Sequence, residues 1–138
     1  MKLFRLFYIC CDKKQSLTSV YWEGEKQEKH FFDKEWEEIQ NSLDNKFEGY
    51  ETEIASYDDA RTKAIVWAGN DRTPGKFYLY DFKTKETKEV ANPYPWIEEK
   101  HMSHVKPITY KTRDGLEIHG YLTLPLGLEA KNLPVVVN

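Results

Sequence analysis

Serine and histidine side chains are the first candidates for chemistry, because acyl transfer needs a nucleophile, a histidine base and an acid that orients the histidine. The sequence has no G-x-S-x-G, the motif that raises a nucleophilic serine on a sharp strand-to-helix turn. None of the serines follows a predicted strand and is flanked by glycines. The serines are Ser16, Ser19, Ser42, Ser56 and Ser103. We therefore assign no catalytic residue, and we expect the chain by itself to be inactive.

The histidines offer at most half of a metal site. His101 and His104 are spaced so that both could lie on one side of a helical turn, but no cysteine or third histidine accompanies them. His119 falls on a predicted strand, on the face opposite Leu116 and Ile118, and His30 is also expected to be partly exposed. We predict no metal site and no cofactor site.

Acidic and aromatic clusters have structural interpretations that are stronger than catalytic ones. The glutamates of "EWEEIQ" could be the paired carboxylates of a glycosidase, but they fall on the polar side of an amphipathic helix; they are Glu35, Glu37 and Glu38. Asp58 and Asp59 beside Arg61 lack the spaced ligands of a calcium loop and indicate a turn. Four aromatic residues could line a ligand surface, although strands use such residues for packing: Trp67, Tyr78, Tyr80 and Trp96.

Charge and hydropathy exclude several classes of protein. The 20 basic and 23 acidic residues give a net charge of −3 without a long block of either sign, which argues against nucleic-acid binding. No apolar run reaches the roughly 18 residues of a membrane span, so we expect a soluble chain with no membrane partner, in the cytoplasm or the periplasm. Cys10 and Cys11 are adjacent on a predicted strand and therefore point to opposite faces, which makes them poor partners for a disulfide. A zinc site at this pair would need further ligands at suitable spacing.

The first half of the chain predicts a meander followed by a helix. Strand-like segments at residues 3–11, 17–22 and 29–32 are separated by polar turns. Asp33 is a suitable helix cap. An apolar stripe with helical spacing follows it, formed by Trp36, Ile39 and Leu43, and predicts a helix that ends near Asn45.

The next segment has the size of one β-propeller blade. Four short strands are predicted at residues 53–56, 63–68, 76–82 and 87–91, with turn formers between them, including a break over 69–75. Apolar residues on both faces of the 76–82 strand predict that it is covered on both sides. A propeller closes only with several blades, so the residues predict either part of a larger assembly or a small β assembly of another kind.

The stretch "YKTRDGLEIHGYLTLP" predicts a hairpin with a defined register. A two-residue loop at Asp114-Gly115 would place charges on the apolar face. A three-residue loop over 113–115, with Gly115 in the left-handed conformation, instead pairs Tyr110 with Ile118 and Ile108 with Gly120. Farther along, "PVVV" at 134–137 is β-branched without alternation, which is typical of a strand buried on both faces of a sheet.

Several segments together resemble a known family. "PWI" at 95–97, "KPITYKTRDGLEIHGYLTLP" at 106–125 and "LPVVVN" at 133–138 resemble the prolyl oligopeptidase type of serine peptidases, in particular the acylaminoacyl-peptidase and dipeptidyl-aminopeptidase branch. The helix-bearing "FFDKEWEEIQNSLDNKF" is similar to a blade near the end of the propeller in that family. The resemblance spans residues 29–138 and is most specific from residue 106 onward. The residues before 12 match less well, and the His-Gly-Gly-Pro-like loop that follows such a valine strand in the family is not among the 138 residues.

The resemblance implies a fold class, a domain division and a function. The expected fold is mainly β: antiparallel propeller blades with one short helix, then the N-terminal hairpin and a strand of an α/β-hydrolase sheet. The expected domains are a partial propeller of about two blades at 1–92, a linker at 93–104, and the first strands of the hydrolase domain at 105–138. The whole protein would hydrolyse peptide bonds of short peptide substrates. The alternative is a non-catalytic β-rich module that associates with a partner, or with itself, through open strand edges.

Overall fold

The computed structural model describes residues 5–11, 16–23 and 27–137, with side chains from residue 16 onward except at positions 23 and 27. Within these ranges the protein is mainly β, with one α-helix and antiparallel sheets, as the sequence predicts. The helices that the structure describes are too short or too polar to cross a bilayer.

The first sheet is the predicted meander of three antiparallel strands. It comprises β1 (Arg5–Cys11), β2 (Leu17–Glu23) and β3 (Gln27–Phe31), in that order. The predicted turns "DKKQS" at 12–16 and "EGEKQE" at 23–28 lie outside the described residues at 12–15 and 24–26, as do the thiol groups of the two cysteines. The register between β1 and β2 shifts between Cys10 and Cys11, so the end of β1 carries a local irregularity.

The predicted helix is confirmed as α1 (Lys34–Lys46). The Asp33 carboxylate accepts a hydrogen bond from the Glu35 amide at 2.9 Å, which satisfies one of the donors that a helix N-terminus leaves without a partner. Trp36 and Leu43 are buried and Ile39 is half-buried, so the apolar stripe is core packing.

The second sheet has the four predicted strands. They are β4 (Glu51–Tyr57), β5 (Lys63–Asn70), β6 (Thr73–Asp81) and β7 (Thr87–Ala91), hydrogen-bonded in chain order. The break predicted over 69–75 is wrong in extent, because only two residues separate β5 from β6. A shift of register after Ala68 accommodates the extra residues, and Gly75 there has a φ of +89°, which glycine adopts without strain.

The core lies between α1 and one face of the second sheet. Leu43 of α1 packs with Ala64, Val66 and Tyr80 of the strands, and all four are buried. On the opposite face, Leu79 stays partly exposed, because α1 covers one face only. The predicted cover on both sides of β6 is thus present only on the helix side among the described residues.

The C-terminal part is an extended hairpin. A single 3-10 turn (Glu99–His101) precedes β8 (Val105–Lys111) and β9 (Glu117–Thr123). Tyr110 pairs with Ile118 and Ile108 with Gly120, and Gly115 has a φ of +85°. The three-residue loop and its register are therefore confirmed.

The strand predicted at 134–137 is not formed. The three valines at 135–137 are 80%, 87% and 86% exposed, and this segment has no strand pairing in the described structure. A β-strand needs a neighbour that takes up its amide and carbonyl groups, and the described residues do not provide one for this segment.

Candidate functional site

The serines are dispersed over the fold. Ser19 is buried in β2, Ser42 lies in α1, Ser56 lies in β4 and Ser103 precedes β8. Among the described residues, a β-strand runs directly into an α-helix only between β3 and α1, and there the connection carries Phe32 and Asp33. The described part of the chain thus places no serine on a nucleophile elbow.

His104 is held by a carboxylate and does not join His101 in a metal site. Its Nδ1 lies 3.0 Å from Oδ2 of Asp71, and the same oxygen accepts the Val105 amide hydrogen at 2.9 Å. The Val105 hydrogen bond and then the His104 hydrogen bond hold the pKa of Asp71 below its ordinary value. A carboxylate that holds a histidine is also found in acid–base pairs. Here the two Asp71 contacts attach the start of β8 to the turn between β5 and β6.

No group of three or more His, Cys, Asp or Glu side chains converges on a point within the described ranges. His119 and His30 have local partners. His119 lies 3.3 Å from the Thr109 hydroxyl and 3.6 Å from the Glu117 carboxylate, and His30 packs edge-on against Phe32 at 4.8 Å between ring centroids. These contacts are typical of surface side chains.

A second carboxylate, Glu99, gathers polar groups from two parts of the chain, the residue before β4 and the β5–β6 turn. Tyr50 donates to Oε2 at 2.6 Å, Asn70 donates to Oε1 at 3.2 Å, and Arg72 forms an ion pair with the same oxygen. The hydrogen bonds from Tyr50 and Asn70 lower the pKa of Glu99. The hydrogen bond between Tyr50 and Glu99 also raises the pKa of Tyr50.

Together these two carboxylates and their partners form what we call the junction cluster: Tyr50, Asn70, Asp71, Arg72, Glu99 and His104. It fixes the segment over 99–105 against one end of the second sheet. Sequence reasoning missed this cluster, and the available signal was the polar "NDR" of the β5–β6 turn.

A surface groove of about 160 Å³ lies beside the N-terminal half of α1. Trp36, Tyr80 and Phe82 contribute aromatic surface, and the Arg61 guanidinium lies 5.5 Å from the centre of the Trp36 ring. An Arg61 nitrogen also lies 3.4 Å from a Glu35 oxygen. The lining contains no serine, cysteine or histidine, so the groove offers an ion pair over an aromatic floor and no nucleophile.

The acidic residues considered in the sequence have the structural roles predicted for them. Glu35, Glu37 and Glu38 are exposed on α1. Asp58 accepts hydrogen bonds from the amides of Thr62 and Lys63 at 2.7 and 2.9 Å, which closes the turn between β4 and β5. These bonds, the one from Lys63 most strongly, hold the pKa of Asp58 below its ordinary value.

A buried polar network joins the two sheets to the helix. The Lys29 ammonium of β3 donates to the Thr52 carbonyl of β4 at 2.6 Å, and the Gln40 amide of α1 donates to the Thr52 hydroxyl at 2.6 Å and to Asp44 at 2.7 Å. Burial lowers the pKa of Lys29, and the Asp44 carboxylate opposes that effect. The partners come from β3, α1 and β4, so the network is a structural link between these elements.

The hairpin β8–β9 is covered by no other element of the described chain. Large apolar side chains are exposed along both strands, including Tyr110, Leu116 and Tyr121, and the last of these is 64% exposed. Trp96, just before the hairpin, is also exposed and packs edge-on against Tyr94 at 5.8 Å.

No family model, no curated protein and no solved structure matches the chain.

Proposed function

We propose that the chain is part of a serine peptidase of the prolyl oligopeptidase type. In this proposal residues 1–92 belong to the end of a β-propeller, 93–104 to a linker, and 105–138 to the first strands of an α/β-hydrolase domain. The observation that carries it is the exposure of apolar side chains on both faces of the β8–β9 hairpin.

The physical reason is that an isolated two-stranded hairpin is marginally stable in water and needs a covered face. Here Ile108, Tyr110 and Leu122 lie on one face and Tyr121 lies on the other, and all four are exposed. Strands that are apolar on both faces are typical of a sheet covered by helices on both sides. The exposed valines at 135–137 support the same interpretation, because a β-branched run of this kind suits the interior of such a sheet.

Within the proposed peptidase this chain would supply scaffold and not chemistry. The resemblance implies that a serine elsewhere attacks a peptide carbonyl and that the propeller screens out large folded substrates. The junction cluster supports a scaffolding role, because Asp71 and Glu99 fasten one end of the second sheet to the segment that leads into the hairpin.

The decisive test is the reading frame beyond Asn138. The proposal expects a glycine-rich loop and, farther on, a G-x-S-x-G motif; a frame that continues into unrelated sequence would overturn it. A second measurement uses the purified chain with a fluorophosphonate probe and a chromogenic aminoacyl substrate. We expect neither labelling nor turnover, and covalent labelling of any serine in these 138 residues would contradict the assigned role.

The second candidate is a non-catalytic β module that adds its strands to a partner. The observation in its favour is the hairpin edge at β9, which faces no other strand among the described residues. A stop codon soon after Asn138 together with a stable complex in size-exclusion chromatography would favour this module over the peptidase.

A further inference from the structure

The two edges of the β8–β9 hairpin differ in their capacity to accept another strand. The Thr112 amide donates to the Leu116 carbonyl at 2.9 Å next to the loop, so Thr112 and Leu116 form a hydrogen-bonded pair. Hydrogen-bonded and non-hydrogen-bonded pairs alternate along an antiparallel ladder. Counting from the loop, the odd-numbered residues of both strands therefore point their amide and carbonyl groups away from the hairpin.

The outer edge of β8 is closed. The outward Val105 amide already donates to Asp71 at 2.9 Å. The next outward position is Pro107, which has no amide hydrogen and is typical of an edge that avoids pairing. Lys106 and Lys111 would also bring like charges together if two copies of this strand paired.

The outer edge of β9 is open. Its outward residues are Glu117, His119, Tyr121 and Thr123, none of which is a proline, and no backbone hydrogen bond to these four amides is found outside the hairpin within the described ranges. They form an uninterrupted row of donors and acceptors. The side chain at each of these four positions is exposed.

We propose that β9 pairs antiparallel with β9 of a second copy of this chain, with the two-fold axis at Gly120. Only the odd-numbered residues can share hydrogen bonds across this edge, because their amide and carbonyl groups point outward in both copies. With the axis at Gly120, Glu117 faces Thr123 and His119 faces Tyr121 of the second copy. This is the symmetric register in which all four outward residues of each strand are paired, and moving the axis by one residue leaves at least one of them without a partner from the strand.

The side chains suit this register. Ile118 would lie opposite Leu122 of the second copy, so apolar groups meet on one face. Glu117 is the one carboxylate of β9, and in this register the two copies of it lie at opposite ends of the interface. The proposal uses only the hairpin's own geometry and concerns the chain of these 138 residues. A hydrolase sheet that continued from β9 would occupy the same edge.

The register is tested by disulfide formation in a background in which Cys10 and Cys11 are serine. Gly120→Cys is tolerated by the hairpin, since a Cβ at Gly120 meets only Ile108 Cγ1 at 3.8 Å. Across the axis, a non-hydrogen-bonded pair has its Cα atoms about 4.5 Å apart, a separation that a disulfide can bridge. The matched control is Tyr121→Cys, whose two copies are offset along the strand in this register.

We expect a disulfide-linked dimer on a non-reducing gel for Gly120→Cys and not for Tyr121→Cys. Equal cross-linking of the two variants would overturn the register, and the absence of any cross-link with a monomer in sedimentation velocity would overturn the dimer. The reading-frame test of the peptidase is unaffected by either result.

A proline pair tests which edge is used. His119→Pro removes an outward amide from β9, and Thr109→Pro removes the outward amide of its cross-strand partner on β8. Both variants lose the Thr109–His119 contact and neither removes a hydrogen bond of the hairpin ladder. Because the two-fold axis doubles each lost bond, His119→Pro should weaken dimerisation roughly tenfold to a hundredfold, and Thr109→Pro should leave it unchanged. Equal weakening, or association into larger aggregates that neither variant reduces, would refute pairing through β9.

Discussion

Leu43 is the apolar side chain of α1 on which the attachment of the helix to the second sheet depends. It is 0% exposed and packs in the core with Ala64, Val66 and Tyr80. Leu43→Ala removes three carbon groups, which at roughly 0.8 kcal/mol each is about 2.4 kcal/mol of lost transfer free energy.

The space left behind adds a second cost. The neighbouring Tyr80 ring is held by an edge contact with Phe82 at 5.4 Å, and Phe47 is held against Tyr78 at 4.7 Å, so these rings cannot move freely into the gap. A residual cavity on the order of 50 Å³ costs about 1.2 kcal/mol at roughly 24 cal/mol per Å³. The free energy of unfolding should therefore fall by about 3 to 4 kcal/mol.

Urea unfolding followed by tryptophan fluorescence and far-UV circular dichroism measures this loss. With a slope of about 1.5 kcal/mol/M, the midpoint should fall by roughly 2 M. The matched control is Leu128→Ala, the same substitution at a leucine that is 62% exposed, for which we expect a change within about 0.5 kcal/mol. Similar losses for the two variants would refute the assignment of the core to the interface between α1 and the sheet.

Three further changes test local features by the same unfolding assay. Gly75→Ala would place a Cβ against Nε1 of Trp67 at a φ of +89°, and should cost about 1–3 kcal/mol. Gly49→Ala, with a φ of +82° and open space around it, should cost about 1 kcal/mol. A reversed order of the two losses would contradict the packing of Trp67. Asp33→Ala should cost about 0.5–2 kcal/mol through loss of the helix cap, with Asp33→Asn retaining most of the stability; equal losses would exclude the capping role. Glu99 has a pKa below its ordinary value of 4.5, so the unfolded chain binds more protons than the folded chain between the two pKa values. The contribution of Glu99 to the free energy of unfolding is therefore complete above about pH 4.5 and is lost as the pH falls through the folded pKa. The urea midpoint should therefore fall less steeply from pH 7 to pH 3 in Glu99→Gln than in the unaltered chain, and parallel curves would refute the linkage.

Local signals in the sequence were sufficient for the helix, for most of the strands and for one register. The helix follows from Asp33 and the spacing of its apolar stripe, because capping and helical periodicity depend on residues within a few positions of each other. The loop over 113–115 follows from the placement of Gly115 and from the need to keep one face apolar. The extent of the β5–β6 turn was misjudged, because "TPG" is turn-forming in composition but is taken into β6 by a shift of register.

Contacts between distant positions were decided only by the tertiary structure. Glu99 meets Arg72 and Lys29 meets Thr52 because separate elements pack together, and no periodicity or spacing in the sequence encodes those distances. The closing of the β8 edge by Asp71 belongs to the same class of contact. The sequence by itself determined the helix, most of the strands and the face that each presents, since those depend on neighbours along the chain. The structure decided that the valines at 135–137 form no strand and which groups are left without a partner, since that depends on everything packed around them.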